Sequence, residues 1–534
     1  MQLSTHDLAQ LTEGRIRAFS PDSLITLTLK LLADVIELHD RLNQNPQNSS
    51  RPPSSRAPWE KSGAEGSGDG QEETSTDVGV APSDLDEELE GVPHPGESDR
   101  DPNPPGEERT QKGSETKRNA GKQHGAPGHG RKFGENMEVT RYQEHRPQEC
   151  AVCNLHLGES APSCAYTARY EMEIERPSDE VPGLNVTKTK HTYFETQCEC
   201  GHWSRSEPGR CAEEEGWTVG LTEWHVAGPM LVTFIGFLAL RMRMSRPLIH
   251  ELLYEWVGIY ISRGTINQCI HEAGRAVEPV VRDEIMAEVR KAEQLHVDET
   301  GWPQHILALW LWVFTCTTVT LFVVGRRTRE MVVRVLGDDF AGWLISDGYT
   351  VYRDYLRRQR CLAHLLRKAR GLKESLDPQA REFGKRTCHL LKTLMDAVYL
   401  VREKPPDIAL SEQHATRLDM FWAYCEQHWD AEHENTRALA REFLYDWNAI
   451  WAVLDYLDLP LTNNEAERAL RHWVIWRRIS YGTRTAEGSH AFCLLASVIE
   501  TCRLRKASPW PYIAAVIRQR RKGMPAPCLP KSAA

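Results

Sequence analysis

Between Ile306 and Val324 the chain carries no charged residue, and this run narrows the available folds more than any other feature. Its length would admit a membrane helix, but Thr315, Thr317, Thr318 and Thr320 sit at its centre among β-branched and aromatic neighbours. Such residues suit a pleated, buried surface, so the run reads as two adjacent strands with a turn near Cys316–Thr318. The flanking pattern extends it to β-β-β-α-β: Gln294–Glu299, Ala308–Thr315, Thr318–Val324, a helix near Thr328–Leu336, then Gly342–Ser346. A second apolar run, Val226–Leu240, stops short of the ~20 residues a bilayer needs and meets Arg241-Met242-Arg243. No basic stretch followed by an apolar one opens the chain, as a secretory signal would. The 14 cysteines lack the dense spacing of secreted disulfide scaffolds, which fits a reducing cytoplasm.

At 534 residues there is room for roughly three or four domains. Ser20-Pro21 starts a helix on which Leu24, Leu27, Leu31, Val35, Leu38 and Leu42 form a narrow apolar stripe. The stripe packs either on another domain or on its own copy, as a coiled coil within 1–45. Residues 46–146 are rich in Pro, Gly, Ser and acid and read as a disordered linker, interrupted by two islands at Asn48–Ser54 and Gly121–Gly130. The formal net charge of −10 hides a contrast. Lys61–Thr110 holds fifteen acids against three bases, whereas Arg468–Lys522 holds twelve bases against Glu487 and Glu500. A β-like segment follows at 147–205, then a helical one at 206–292. Within the latter, Ser245–Val257 and Ser262–Ala273 have the spacing of a helix-turn-helix or of an ordinary helical hairpin. Arg263, at the start of the second helix, is a candidate DNA contact.

Two cysteine pairs, Cys150/Cys153 and Cys198/Cys200, bracket the β-like segment and can converge on one structural zinc ion, with His202 a spare ligand. Three carboxylates have a different character. Asp298 lies on the first predicted strand, Asp347 follows the fourth, and Glu467 or Glu465 opens a later helix. Glu465 and Glu467 point to different faces, so only one can join the others; Glu299 and Asp354 are lesser rivals. Acids at the ends of apolar strands are what a pair of magnesium (or manganese) ions needs for in-line phosphoryl displacement. Arg353, Arg357, Arg358, Arg360, Arg367, Lys368 and Arg370 follow Asp347, and Arg468, Arg471, Arg477, Arg478 and Arg484 follow Glu467. Interleaved with His472, Trp473, Trp476 and Tyr481, these bases suggest a nucleic-acid surface with aromatics available for stacking.

These motifs together resemble the DDE transposases of bacterial insertion elements, of the insertion-sequence-sixty-six type. The matching residues are His296-Val297-Asp298-Glu299-Thr300, Ser346-Asp347-Gly348-Tyr349, Cys361-Leu362-Ala363-His364, and Asn463-Asn464 followed by Ala466-Glu467-Arg468-Ala469-Leu470-Arg471. The leucine-rich N-terminal helix, the two islands and the four-cysteine segment fit the same type. The resemblance implies an RNase H-like core in two parts, 293–373 and 456–522, around a helical insertion at 374–455, with a tail at 523–534. It implies Asp298, Asp347 and Glu467 as catalytic acids holding Mg²⁺ or Mn²⁺, and Cys150, Cys153, Cys198 and Cys200 as zinc ligands. The chain departs from the type at Thr462, where an acid is common, and in its long acidic linker.

The resulting expectation is a multidomain α/β protein that binds the terminal inverted repeats of its element and catalyses DNA cleavage and strand transfer. Its expected partners are double-stranded DNA at element ends and target, further copies of itself and small accessory proteins, on the nucleoid in the cytoplasm and away from membranes. The expected DNA contacts are Arg263, Arg357, Arg358, His364, Arg468, Arg471, Arg477 and Arg478. A zinc-finger and helix-turn-helix regulator without catalysis, and a structure-selective nuclease, are the rival expectations.

Overall fold

A computed structural model describes residues 11, 16–17, 19–42, 138–175, 183–206, 210–211, 217–218 and 226–531. The expected linker as far as residue 137, with both its islands, lies outside the described residues.

Helix α1 (Pro21–Leu42) starts where the sequence places it: Ser20 Oγ accepts the Ser23 amide at 3.2 Å, and Pro21 occupies the first turn. Ile25, Leu29, Leu32, Val35 and Leu38 on this helix are exposed.

Strands β1 (Arg141–His145), β2 (Ser163–Glu175), β3 (Asn185–Gln197) and β4 (Trp203–Arg205) form one sheet in the order β1-β3-β2, with β4 also on β3. Strand β1 falls inside the range expected to be linker. Its sequence, Arg-Tyr-Gln-Glu-His, gives no apolar signal because only His145 is buried. The strand is held instead by its parallel ladder to β3, from Arg141↔Thr189 to His145↔Tyr193. Two short strands, β5 (Arg210–Cys211) and β6 (Trp217–Thr218), pair with each other.

Helix α2 (Pro229–Leu240) is the second apolar run, buried on nearly every side. Its N-terminal amides are satisfied by a side chain from the first sheet: Glu173 accepts from Met230 at 3.1 Å and Leu231 at 2.7 Å. Gly228 is required there, because any Cβ would collide with that carboxylate. Ser245 and Ser262 cap α3 (Arg246–Glu251) and α4 (Arg263–Val280). Helix α3 ends in a wider π-type turn at Leu252–Trp256, and α4 runs past its expected end, with Pro279 in its last turn and a second π-type turn before α5 (Met286–Lys291).

The central sheet contains β7 (Gln294–Gln304), β8 (Leu307–Thr315), β9 (Thr320–Gly325), β10 (Trp343–Ser346) and β11 (Arg358–Arg360), in the order β11-β10-β7-β8-β9. The charge-free run is the β8–β9 hairpin, closed by Cys316 N–H to Val319 O at 3.0 Å. Its threonines satisfy one another: the Thr315 and Thr320 hydroxyls are 2.7 Å apart in the interior. Strands β7 to β9 are antiparallel, whereas β10 is parallel to β7 and β11 to β10. Helix α6 (Arg329–Leu336) links β9 to β10.

A helical block follows: α7 (Leu362–Lys373), α8 (Pro378–Val401), α9 (Leu410–Gln413), α10 (Ala415–Gln427), α11 (Glu434–Tyr445) and α12 (Trp447–Trp451). It has an apolar core of its own, centred on Phe383, Leu391, Phe443 and Ile450, to which α7 contributes Leu365 and Ala369. The chain returns to the sheet through α13 (Asn464–Ser480), α14 (Ala486–Leu504) and α15 (Pro509–Arg521). Helix α14 covers the edge strand β9. Ser497 Oγ accepts the Phe322 amide and Thr501 Oγ accepts the Thr320 amide, so an edge that would otherwise offer free amides is closed. Among the described residues no helix is long and apolar enough to cross a membrane.

Candidate active site and metal centre

Two side-chain clusters stand out, one at the C-terminal end of β10 and one at the turns of the first sheet.

In the first, register sets the geometry. Strands β7 and β10 pair as Trp343↔Gln294, Leu344↔Leu295 and Ile345↔His296, so the same offset carried two residues on puts Asp347 beside Asp298. Adjacent strands lie roughly 4.8 Å apart. Each carboxylate is oriented by the backbone: Asp298 Oδ1 accepts the Glu299 amide, and Asp347 Oδ1 accepts the Tyr349 amide, both at 2.9 Å.

Glu467 reaches the pair through Asn463, which is fully buried. Its Nδ2 donates to Val297 O at 2.8 Å, its Oδ1 lies 3.0 Å from His296 Nδ1, and its amide reaches Cys361 Sγ at 3.2 Å. Cys361 in turn donates its amide to Ser346 O at 2.9 Å, and the Asn463 carbonyl accepts the Glu467 amide. The side chain that would ordinarily cap α13 is spent on β7, so no side-chain cap forms there. Glu467, in the first turn, therefore hangs from the same two strands that carry Asp298 and Asp347.

The electrostatics follow from this crowding. Burial, then the charges of Asp347 and Glu299, push the Asp298 carboxyl well above the usual carboxylate range, with Glu467 adding in the same direction. Glu299 rises to about 7 through burial and Asp347, although the Tyr352 hydroxyl and Arg327 partly offset this. Tyr352 donates to Glu299 at 2.6 Å, and Arg327 donates at 2.7 and 2.9 Å while stacking over Trp310 and Tyr349. Glu299 is thus committed to an organic cation, and Asp354 to Arg329. Glu465 is exposed and paired with Arg468 at 3.0 Å, so Glu467 is the member of that pair turned toward the aspartates. Asp298, Asp347 and Glu467 remain as acids near enough to interact electrostatically, a donor type that hard divalent cations take. Their oxygens do not all lie within 4.8 Å of one another, and Glu467 is also bonded to Arg367. Arg367 lies 3.3 Å and His364 3.6 Å from Glu467. Burial and neighbouring cations push His364 down to about 3, so its imidazole is neutral.

The structure brings in residues that sequence reasoning passed over. Glu442 and Asp446, both on or beside α11, neutralise the basic strand β11 and its surroundings. Asp446 binds Arg353, Arg358 and Arg360, while Glu442 binds Arg360 and Lys368. Arg360 is wholly buried directly under Gly348. The signal was faint, because two acids in a charged helix look like an exposed face.

The expected basic surface divides accordingly. Arg263, Arg357, Arg468, Arg471 and Arg478 are exposed. Arg358 is buried against Asp446, and Arg477 donates to the Thr300 hydroxyl and the Gly301 carbonyl, so both are engaged inside the fold. Trp473 and Trp476 do not offer stacking surfaces. They fill the core against Trp302, Phe322 and Phe492, since α13 packs its apolar face on β7 and β8.

In the second cluster, Cys150 and Cys153 lie in the turn after β1, and Cys198 and Cys200 between β3 and β4. All four Sγ atoms lie within 4.8 Å of one another, with contacts of 3.4 to 3.7 Å. A tetrahedral ion with ~2.3 Å bonds to sulfur needs Sγ separations of about 3.8 Å, so the four thiols could hold an ion such as zinc. Backbone N–H groups of Cys153 and Val152 lower Cys150 to about 6, while the neighbouring Cys198 thiol and burial push Cys153 up to about 12. Cys198 is also raised, so without an ion the cluster favours a thiolate at Cys150 alone. His202 is outside this set; its carbonyl accepts the Cys198 amide.

Two proteins of Sinorhizobium fredii (strain NBRC 101917 / NGR234) are similar to the chain. The uncharacterized protein y4jD is 23% identical over 304 residues, covering 50% of this chain and 58% of its own length. The uncharacterized protein y4qI is 24% identical over 311 residues, covering 52% and 56%. The chain thus spans somewhat over half the length of either relative. The model of the family described as Transposase IS66 family matches residues 244–491, which contain Asp298, Asp347, Glu467 and the helical block between them, so over that stretch the chain is similar to IS66-type transposases.

Proposed function

We propose that the chain is a DDE-type transposase: it binds the terminal inverted repeats of its own insertion element and carries out Mg²⁺-dependent DNA cleavage and strand transfer. The observation that carries this reading is the convergence of Asp298 and Asp347, on adjacent parallel strands, with Glu467, suspended from the same strands by Asn463. The strand order β11-β10-β7-β8-β9, with three antiparallel strands followed by two parallel ones, supports an RNase H-like core interrupted by a helical insertion.

Bound Mg²⁺ or Mn²⁺ would supply activation of the attacking hydroxyl and stabilisation of the departing 3′ oxygen. The chain's own residues do the rest. Asp298, Asp347 and Glu467 hold the cations, and the amides of Glu299 and Tyr349 orient the two aspartates. Neutral His364 and cationic Arg367 flank Glu467, where they would meet the phosphate backbone. Exposed Arg263, Arg357, Arg468, Arg471 and Arg478 would hold duplex DNA at element end and target by phosphate contacts. The four-cysteine cluster is proposed as a structural zinc site that fixes the first sheet. The exposed apolar residues of α1 support a homo-oligomer on DNA, and we place the complex, with small accessory proteins, on the bacterial nucleoid.

The test uses the purified full-length chain, a labelled duplex carrying the end of the element, and Mg²⁺. Nicking at the end followed by joining to a target duplex is expected, with both steps lost in Asp347→Asn and Glu467→Gln while end binding persists. End binding without any cleavage would favour a regulator, and cleavage of branched DNA without joining would favour a nuclease.

A further inference from the structure

We infer that Tyr481, with Ile479, is a rigid wedge that contacts the bases of duplex DNA at the far end of a basic track running along α13 from Glu467. This inference rests on the DNA-processing reading above and goes beyond it by naming a base-contacting element.

The track is a matter of helical spacing. Arg468, Arg471, Ile475 and Arg478 recur at three- and four-residue steps, Ile479 lies four residues after Ile475, and all five fall on one face of α13 and are exposed. Arg484 is exposed just beyond. Glu465 is paired with Arg468, and Arg471, Arg478 and Arg484 make the face cationic with two isoleucines set into it. A cationic face suits a polyanion, and apolar side chains set within it suit the exposed edges and faces of bases.

Tyr481 is 83% exposed, whereas its helix-mates Trp473 and Trp476 are 0% and 5% exposed. Its backbone is left-handed, at φ +56°, a region that a bulky residue rarely occupies and that Gly or Asn would adopt with less strain. The sequence nonetheless places an aromatic ring there, in water, at the C-cap. The tip is also stiff. The Tyr481 amide bonds Arg477 O at 2.7 Å, and Thr483 exchanges backbone hydrogen bonds with Pro303 and His305 at 3.1 and 2.9 Å. Gly482 packs so closely on the Pro303 carbonyl that no side chain fits. A strained, braced and exposed aromatic has no role in the core. Backbone strain of this kind collects where a side chain must be held toward a ligand. At 1.5 Å per residue the fourteen residues from Glu467 to Tyr481 span about 21 Å, or roughly six base-pair steps from the cleavage position.

The test compares the full-length chain with Tyr481→Gly and Tyr481→Phe on a fluorescein-labelled mixed-sequence duplex, and on the same duplex with 2-aminopurine in place of single adenines. Glycine relieves the left-handed strain, so the melting temperature of Tyr481→Gly should equal or exceed that of the unmodified chain. Its affinity should fall by about tenfold, the order expected for one aromatic–base contact, while Tyr481→Phe retains affinity. The unmodified chain should raise 2-aminopurine fluorescence at one position and Tyr481→Gly should not. Unchanged affinity and fluorescence in Tyr481→Gly, a loss of thermal stability, or altered self-association in place of altered DNA affinity would each overturn the wedge. Failure of the unmodified chain to bind either duplex would instead remove the DNA-processing reading itself.

Discussion

The side-chain amide of Asn463 donates to the carbonyl of Val297 at 2.8 Å, tying the turn that begins α13 to the residue immediately before Asp298. The third acid is thereby positioned by a polar contact and not by the helix packing alone. Asn463→Ala would leave the Val297 carbonyl and the His296 ring without their partner in the interior, at about 1–3 kcal/mol of stability. Because Glu467 would also lose its anchor, strand cleavage should fall far more than the folded fraction does. Urea titration alongside nicking of a duplex measures the two separately; parallel losses would mean that Asn463 serves the fold alone.

Asp446 makes a stronger structural prediction. It is buried and holds Arg358 and Arg360, themselves buried, together with Arg353. Asp446→Ala would strand the buried Arg358 guanidinium without a counter-charge and leave Arg360 to Glu442 alone, a change of about 3–5 kcal/mol. Chemical denaturation should show it. Asp430→Ala, at an exposed ion pair with Arg441, should change stability by less than about 1 kcal/mol under the same conditions.

The crowded acids give a pH dependence with a definite sign. Glu299 and Glu500 both titrate near 7 in the folded chain instead of near 4.5, Glu299 through burial and Asp347, Glu500 through burial beside Arg241. Between those values the folded chain holds more protons than the unfolded one, so stability contributed by these groups falls as pH rises from about 4.5 to 7. Asp298 shifts in the same direction. A divalent cation held by Asp298 and its neighbours should reverse the part that comes from those acids. The rise in melting temperature on adding Mg²⁺ should therefore be larger at pH 8 than at pH 5.5, and absent in Asp298→Asn. Glu500→Gln should flatten the metal-free pH profile without touching the Mg²⁺ response. A Mg²⁺ shift of equal size at both pH values would count against cation binding by the crowded acids.

Much of this site was legible in the sequence because its signals are local. The charge-free run with central threonines marked the β8–β9 hairpin, and Ser20, Ser245 and Ser262 marked three helix starts through their own chemistry. Asp347 was visible as an acid at the end of an apolar strand, whereas Asp298, expected near the end of a strand over Gln294–Glu299, lies in the middle of β7 because its pairing with β8 carries the strand on to Gln304. What stayed hidden depends on distant partners. Trp473 and Trp476 look from the sequence like aromatics scattered in a basic stretch, and only the packing of α13 on β7 and β8 puts them inside. Arg358 and Arg360 look like a phosphate-binding pair until Glu442 and Asp446, over eighty residues later, arrive beside them. Strand β1 is nearly all polar, and its position is decided by its ladder to β3.

The four-cysteine cluster predicts one zinc per chain, measurable by elemental analysis of the purified protein. Cys198→Ser should lower the zinc content and increase hydrogen exchange across β3 and β4, whose turn carries Cys198 and Cys200. Exchange at β8 should be unaffected, because that strand is held by its own ladders to β7 and β9. Full zinc content in Cys198→Ser would exclude this thiol as a ligand.

Gly348 offers the most direct link between the helical insertion and the aspartate it follows. The sequence suggests that glycine is needed there for a sharp turn, yet its backbone is not left-handed, so conformation is not the reason. Proximity is: a Cβ at this position would lie 2.6 Å from Arg360 Nη2 and 2.7 Å from Glu442 Oε1. Arg360 cannot retreat, because it is fully buried and clamped by Asp446. Gly348→Ala must therefore push the Asp347–Tyr349 turn away from the arginine, and that turn supplies the Tyr349 amide that orients Asp347. Cleavage should drop by at least about tenfold, equivalent to 1.4 kcal/mol in the barrier, with DNA affinity unchanged. Shortening the second neighbour in the double variant Gly348→Ala with Glu442→Asp should return part of the activity by withdrawing the Glu442 carboxylate from the new methyl group. Single-turnover cleavage rates measure both effects, and full activity in Gly348→Ala would mean that Asp347 is held independently of the insertion.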